Sequence, residues 1–137
     1  MTDQEQFIAW TQSRLREAET ALHNGDAELR LALWSAREPV SVLGAWRNAV
    51  GQEQVRSLFH TLAESFSNCT SHVYEIVSAQ VVGDLAFTAG YERTAASVNG
   101  ERRQYVLRVT QIYRREDGEW KVAHRHGDTA ETTTVGG

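Results

Sequence analysis

The chain has one cysteine among its 137 residues, no apolar run long enough to span a bilayer, and no excess of basic charge. A single thiol cannot close an internal disulfide, and Cys69 has no cationic neighbour in sequence to activate it, so it reads as structural. Without about 20 consecutive apolar residues no membrane span is expected. The opening stretch MTDQEQFIAW lacks a basic segment followed by an apolar one, so no signal or transit peptide is expected and the cytoplasm is the expected compartment. Fourteen Lys and Arg stand against eighteen Asp and Glu, and the basic residues are scattered, which argues against a nucleic-acid partner.

What is present suits a globular domain with its own core: 41% hydrophobic and 23% charged residues. Phe7, Thr11, Leu15, Ala18 and Leu22 recur at helical spacing behind a Thr2/Glu5 capping pair and stop near Asn24–Gly25. Asp26 can cap a second, shorter helix that Pro39 prevents from continuing. A turn-rich piece, VSVLGAWRNAVG, suggests a short strand or hairpin ending at Gly51, and Val55, Leu58, Phe59, Leu62 and Phe66 form the apolar stripe of a third helix. From Thr70 the period becomes two, with turns at Gly83–Asp84, Asn99–Gly100 and Glu116–Asp117–Gly118. Four antiparallel strands are expected, at about 71–82, 85–98, 101–115 and 119–128. The sum is an α+β fold, three N-terminal helices on a curved antiparallel sheet in the order α-α-β-α-β-β-β-β. Residues 1–128 form one domain, and the polar tail 129–137 has nothing to bury.

Turn chemistry sets an expected register. A two-residue Asn99–Gly100 loop places Tyr91 opposite Arg108. A three-residue loop ending in Gly118 pairs Arg115 with Glu119 and places Arg108 opposite His126, whereas a two-residue Asp117–Gly118 loop would place His126 opposite Val109. On the first register one face carries Phe87, Ile112 and Val122 at one end and Tyr91, Arg108, His126 and Asp128 at the other. If the helices cover that face, its polar end lines a pocket, and the apolar reverse face (Leu107, Val109, Ala123) is the surface for a homodimer.

NGD at the close of the first helix, LRVTQIYRREDGEWKVAHRHGD near the end, and the order helix–helix–turn–helix–meander together resemble the SnoaL-like, ketosteroid-isomerase-like branch of the nuclear-transport-factor-2-like superfamily. The resemblance covers nearly the whole chain. It implies a cone, a pocket at its open end and dimers through the sheet, with members that include isomerases, cyclases, dehydratases and non-catalytic domains. Where a steroid isomerase of this superfamily keeps a tyrosine and two aspartates, this chain has Ala18, Ser41 or Val42, and Thr110, so that mechanism does not carry over. His126 stands where similar cyclases keep an acid–base aspartate, and Arg108 is similar to a pocket arginine of a kinase association domain.

The expected site therefore has His126 moving a proton, Asp128 orienting it and Tyr91 stabilising oxyanion charge, with Arg108, His124, Thr110 and Trp46 binding the ligand. No metal or other cofactor is expected there, because residues i and i+4 of a strand lie about 13 Å apart, too far for His124, His126 and Asp128 to converge. The partner expected is a small molecule with a carbonyl or acidic group. The readings are a cofactor-independent isomerase, cyclase or dehydratase and, alternatively, a non-catalytic binding or dimerisation module, which a carboxylate partner for Arg108 within the chain would favour.

Overall fold

The computed structural model describes residues 1–130; the tail expected at 129–137 lies outside that range apart from its first two residues. Helix α1 (Asp3–Trp10) starts on the Thr2/Glu5 capping box, runs through a π-helical turn (Thr11–Leu15) and continues as α2 (Arg16–Leu22). The five stripe residues, Phe7 to Leu22, are all buried. After α3 (Glu28–Ala32) come the short hairpin β1 (Ser41–Leu43) and β2 (Asn48–Val50), then α4 (Gln52–Ser65), which buries Val55, Leu58 and Phe59 and leaves His60 exposed.

The meander follows as β3 (Phe66–Val82), β4 (Leu85–Val98), β5 (Glu101–Glu116) and β6 (Glu119–Thr129). The long strands pair antiparallel, and β1 joins β6 in parallel, giving a curved, unclosed sheet in the order β2-β1-β6-β5-β4-β3. Curvature has a visible device at Gly90. A Cβ there would stand 2.0 Å from the Glu75 carbonyl oxygen, beside the β3 irregularity between Ile76 and Ser78, so only glycine admits the approach.

The β4–β5 register is the expected one, with Tyr91 opposite Arg108. The β5–β6 register is not. Asp117 and Gly118 both adopt positive φ (52° and 80°), as a two-residue primed turn requires, so Glu116 pairs with Glu119. An irregularity at Ala123 then adds one residue, which puts Asp128, not His126, opposite Arg108 and His126 opposite Thr110. The two-residue turn by itself places Arg115 opposite Trp120, with its guanidinium 4.7 Å from the indole centre.

The covered face is also the reverse of the one expected. Leu107 and Val109 lie under the helices and Val122, expected with Phe87 and Ile112, is buried in the core, whereas Phe87 and Ile112 are 38% and 42% exposed on the outside. Alternation along a strand tells which residues share a face but not which face the helices take. In the core, Phe7 sets its ring edge-on against Tyr113 and Trp120 at 4.9 and 5.1 Å, and Trp34 packs on Phe59 at 5.3 Å.

Candidate functional site

Crossing the covered face from β3, the inner rows read His72, Thr94 and Tyr105; then Tyr74, Glu92 and Leu107; then Thr88, Gln111 and Arg125. These polar side chains meet Glu19 and His23 from α2 and Arg30 from α3. Arg125 donates from both terminal nitrogens to both oxygens of Glu92, each at 2.7 Å. Arg30 is wholly buried, pairs through Nε with Glu19, donates from Nη2 to Gln111 Oε1 at 2.9 Å, and stacks within 5.2 and 5.0 Å of the Trp34 and Phe59 ring centres. Two carboxylates and two guanidiniums so close that the inner charge cancels, which burial in a low-dielectric interior demands.

The electrostatics follow from this pairing. Burial alone would raise Glu92, but Arg125 overcomes it by charge and by hydrogen bonds and holds the carboxyl at about 2. Burial would likewise raise Glu19, and Arg30 reverses the direction, so Glu19 is lowered. His23 is pushed down by burial, and its Nδ1 donates to the Glu19 carbonyl oxygen at 2.7 Å, an acceptor that fixes the tautomer and leaves Nε2 with the lone pair.

Above this floor, Glu19, His23, Glu92 and Arg125 border a cavity of about 90 Å³ with walls that include Leu58, Leu62 and Phe66. Tyr105 closes one side. Among the described residues its hydroxyl is buried without a hydrogen-bond partner, the neighbouring Thr94 falling short of bonding geometry, and burial pushes its acidity down and its pKa up. Trp46, 59% exposed, meets the Tyr105 ring edge-on at 5.8 Å. Trp46, Arg47, Leu62, Phe66 and Tyr105 line both this cavity and an open groove of about 820 Å³, so the Trp46–Tyr105 pair is the wall between inner space and solvent.

The residues singled out from sequence fall mostly elsewhere. Arg108, Thr110, His126 and Asp128 are exposed on the outer face, with Tyr91 and His124 half-buried beside them, so the expectation that they line a pocket beneath the helices is corrected. The outer face does bring Arg108 to Asp128, at 2.7 Å with both side chains more than half exposed. His124 Nδ1 pairs with Ser41 Oγ at 2.8 Å, and burial and the neighbouring His126 lower it. Trp46 alone of that set borders the inner cavity. Glu19, His23, Arg30, His72, Glu92, Tyr105 and Arg125 were missed. Their signal was the run of Gly90, Leu107, Val109 and Ala123 on the same face, too apolar to be left to water.

A curved, unclosed sheet with helices covering one face and a cavity between them defines an α+β cone. The model of the SnoaL-like domain matches residues 11–129, and the chain belongs to that family. Solved structures share the fold. A candidate dehydratase of the nuclear-transport-factor-2-like family from Streptomyces avermitilis is 17% identical with a TM-score of 0.75, covering 93% of this chain and 96% of its own. A nuclear-transport-factor-2-like superfamily protein from Salmonella enterica gives 18% and 0.74 over 96% and 94%. A ketosteroid-isomerase-like protein from Erwinia carotovora atroseptica gives 18% and 0.72 over 95% and 99%. No curated protein matches by sequence. Among the described residues no helix is long and apolar enough to cross a membrane.

Proposed function

We propose that this chain binds a compact, largely apolar organic molecule with a carbonyl oxygen in the inner cavity, where the Tyr105 hydroxyl donates to that oxygen. The unpartnered buried hydroxyl is the observation that carries the reading, since such a group is costly unless a ligand or water completes it. Donation to a carbonyl draws electron density toward its oxygen and acidifies the neighbouring C–H bonds. That is the step shared by isomerase, cyclase and dehydratase chemistry. In this reading the inner floor replaces His126, Asp128 and Arg108 as the chemical surface. At about 90 Å³ the cavity takes only a small fragment, and a larger ligand displaces Trp46 toward the groove. A second copy covers the outer face, where Val77, Leu85 and Ile112 are 67%, 55% and 42% exposed.

The test uses acetophenone and cyclohex-2-enone, with toluene as the apolar control and EDTA present throughout. At tenfold excess over Kd a ligand adds about 1.4 kcal/mol, roughly 4 °C in Tm for a domain of this size. The ketones should raise the Tm of the native chain and lose that effect in Tyr105→Phe. An equal response from toluene, or an undiminished one in Tyr105→Phe, overturns the reading. Deuterium uptake at the α-carbon of a bound ketone in D2O separates turnover from the non-catalytic alternative, which predicts binding without exchange.

A further inference from the structure

We propose that Glu19, His23 and His72 form a binding site for one divalent transition-metal ion of the zinc class at the floor of the cavity. The proposal is independent of the small-molecule reading above, whose test is run with chelator.

The three residues come from α2, the position capping its C-terminal end, and β3, are each at least 94% buried, and offer one ligand atom apiece within 4.8 Å of one another. Both imidazoles have Nδ1 already committed. His23 donates to the Glu19 carbonyl at 2.7 Å, and His72 pairs with Thr94 Oγ1 at 3.0 Å. This is how metal-bound histidines are oriented, with the outer nitrogen held and Nε2 left for the ion. Neither Nε2 has a hydrogen bond among the described residues, the nearest anion to that of His72 being Glu19 Oε2 at 4.0 Å. The other oxygen of Glu19 is on Arg30, so Oε2 is the one available to an ion.

The ring spacing, though not the stacked 29° angle between the ring planes, is that of a metal-bound pair. Two imidazoles bound tetrahedrally at about 2.0–2.1 Å hold their centres roughly 5 Å apart. The centres of His23 and His72 are 4.9 Å apart. An ion drawn in would need ligand atoms as much as 4.8 Å apart to close to about 3.3 Å, a movement that side-chain rotation would supply. Two nitrogens and one carboxylate oxygen suit zinc-class ions over magnesium or calcium. Three protein ligands also leave a fourth position; Glu19 and His23 border the cavity, and Glu19 and His72 border a second pocket beside α2, so the fourth ligand can come from either side. The inner guanidiniums of Arg30 and Arg125 already balance Glu19 and Glu92, so the added positive charge selects an anionic fourth ligand such as hydroxide or a carboxylate oxygen.

The experiment titrates Zn2+ and Co2+ alone into the folded, EDTA-treated and desalted protein. Calorimetry reads stoichiometry, and the visible absorption of Co2+ reads its coordination. Expected is one ion per chain with four-coordinate Co2+ bands, no response to Mg2+, loss of binding in His23→Gln and His72→Gln, and about 10- to 100-fold weaker binding in Thr94→Val, which keeps every ligand and only frees His72. Circular dichroism establishes folding of each variant; if His72→Gln unfolds, Thr94→Val and His23→Gln decide. The outer pair His124/His126 is the control. Binding that vanishes in His124→Gln/His126→Gln but survives in His23→Gln, or a native chain that takes up no stoichiometric ion, overturns the proposal.

Discussion

Replacing Arg125 by methionine keeps most of the side chain's bulk and removes the guanidinium that both oxygens of Glu92 use at 2.7 Å. Glu92 is 3% exposed, so its charge is left in the interior without a counter-ion. Two estimates of the loss agree. Breaking one side of a buried pair costs about 3–5 kcal/mol. A carboxyl held at about 2 against an ordinary 4.5 corresponds to about 3 kcal/mol of stability at neutral pH, at 1.36 kcal/mol per pKa unit. The native carboxyl binds its proton more weakly than the unfolded one, so this contribution is complete above about pH 4.5 and disappears as pH falls from there to about 2. Urea unfolding followed by tryptophan fluorescence, at pH 7 and at intervals down to pH 3, reads both quantities. Arg125→Met should lose about 3 kcal/mol at pH 7, some 10 °C in Tm, and should lose less at pH 3, since part of the native pair's advantage is already gone there. The double variant Glu92→Leu/Arg125→Met should recover most of the loss, because apolar replacement of a whole pair is close to neutral. A loss below about 1 kcal/mol in the single variant, or no recovery in the double, refutes the account of the inner network.

Arg108→Ala should change stability by less than about 1 kcal/mol, because its pair with Asp128 stands more than half in solvent at the end of the outer face away from Leu85 and Ile112; a drop of several degrees in Tm would mean that the second copy covers this pair as well. Gly90→Ala should cost about 1–3 kcal/mol in chemical unfolding, since β3 must move off a new methyl; a neutral result would show that the bend does not depend on that close approach. Tyr105→Phe should leave stability unchanged or slightly raised, as it removes a buried hydroxyl with no partner, and a clear loss would reveal a bond that this hydroxyl makes within the chain.

The helix stripe from Phe7 to Leu22 and the Asn99–Gly100 hairpin were legible because each is a local signal: a 3.6-residue period in one case, a turn dipeptide in the other. Nothing local marks the extra residue at Ala123, and that residue, added to the one-residue shift from the shorter turn, is what brings Arg108 to Asp128 instead of His126. The inner charges were illegible for a related reason. Glu92 and Arg125 each look like solvent-facing strand residues until they are known to be partners, and 33 positions separate them. Arg30 is hidden twice over, by a five-residue helix too short to show a period and by partners, Glu19 and Gln111, on two other elements. Arg108 does have the carboxylate partner that would have favoured the non-catalytic reading, but on the outer face, where it bears on neither reading of the cavity.

The π-helical turn at Thr11–Leu15 sets the phase of everything after it. An α-helix turns 100° per residue, so removing one residue from that turn would rotate the following segment by about that angle relative to Phe7. Glu19 and His23 would swing off the sheet, and Arg30 would lose the carboxylate it shares the interior with. The one-residue surplus in the first helix thus works as a vernier. The aromatic contacts of Phe7 hold the start of the helix in place while the polar residues more than three turns later are brought into line with β3 and β4.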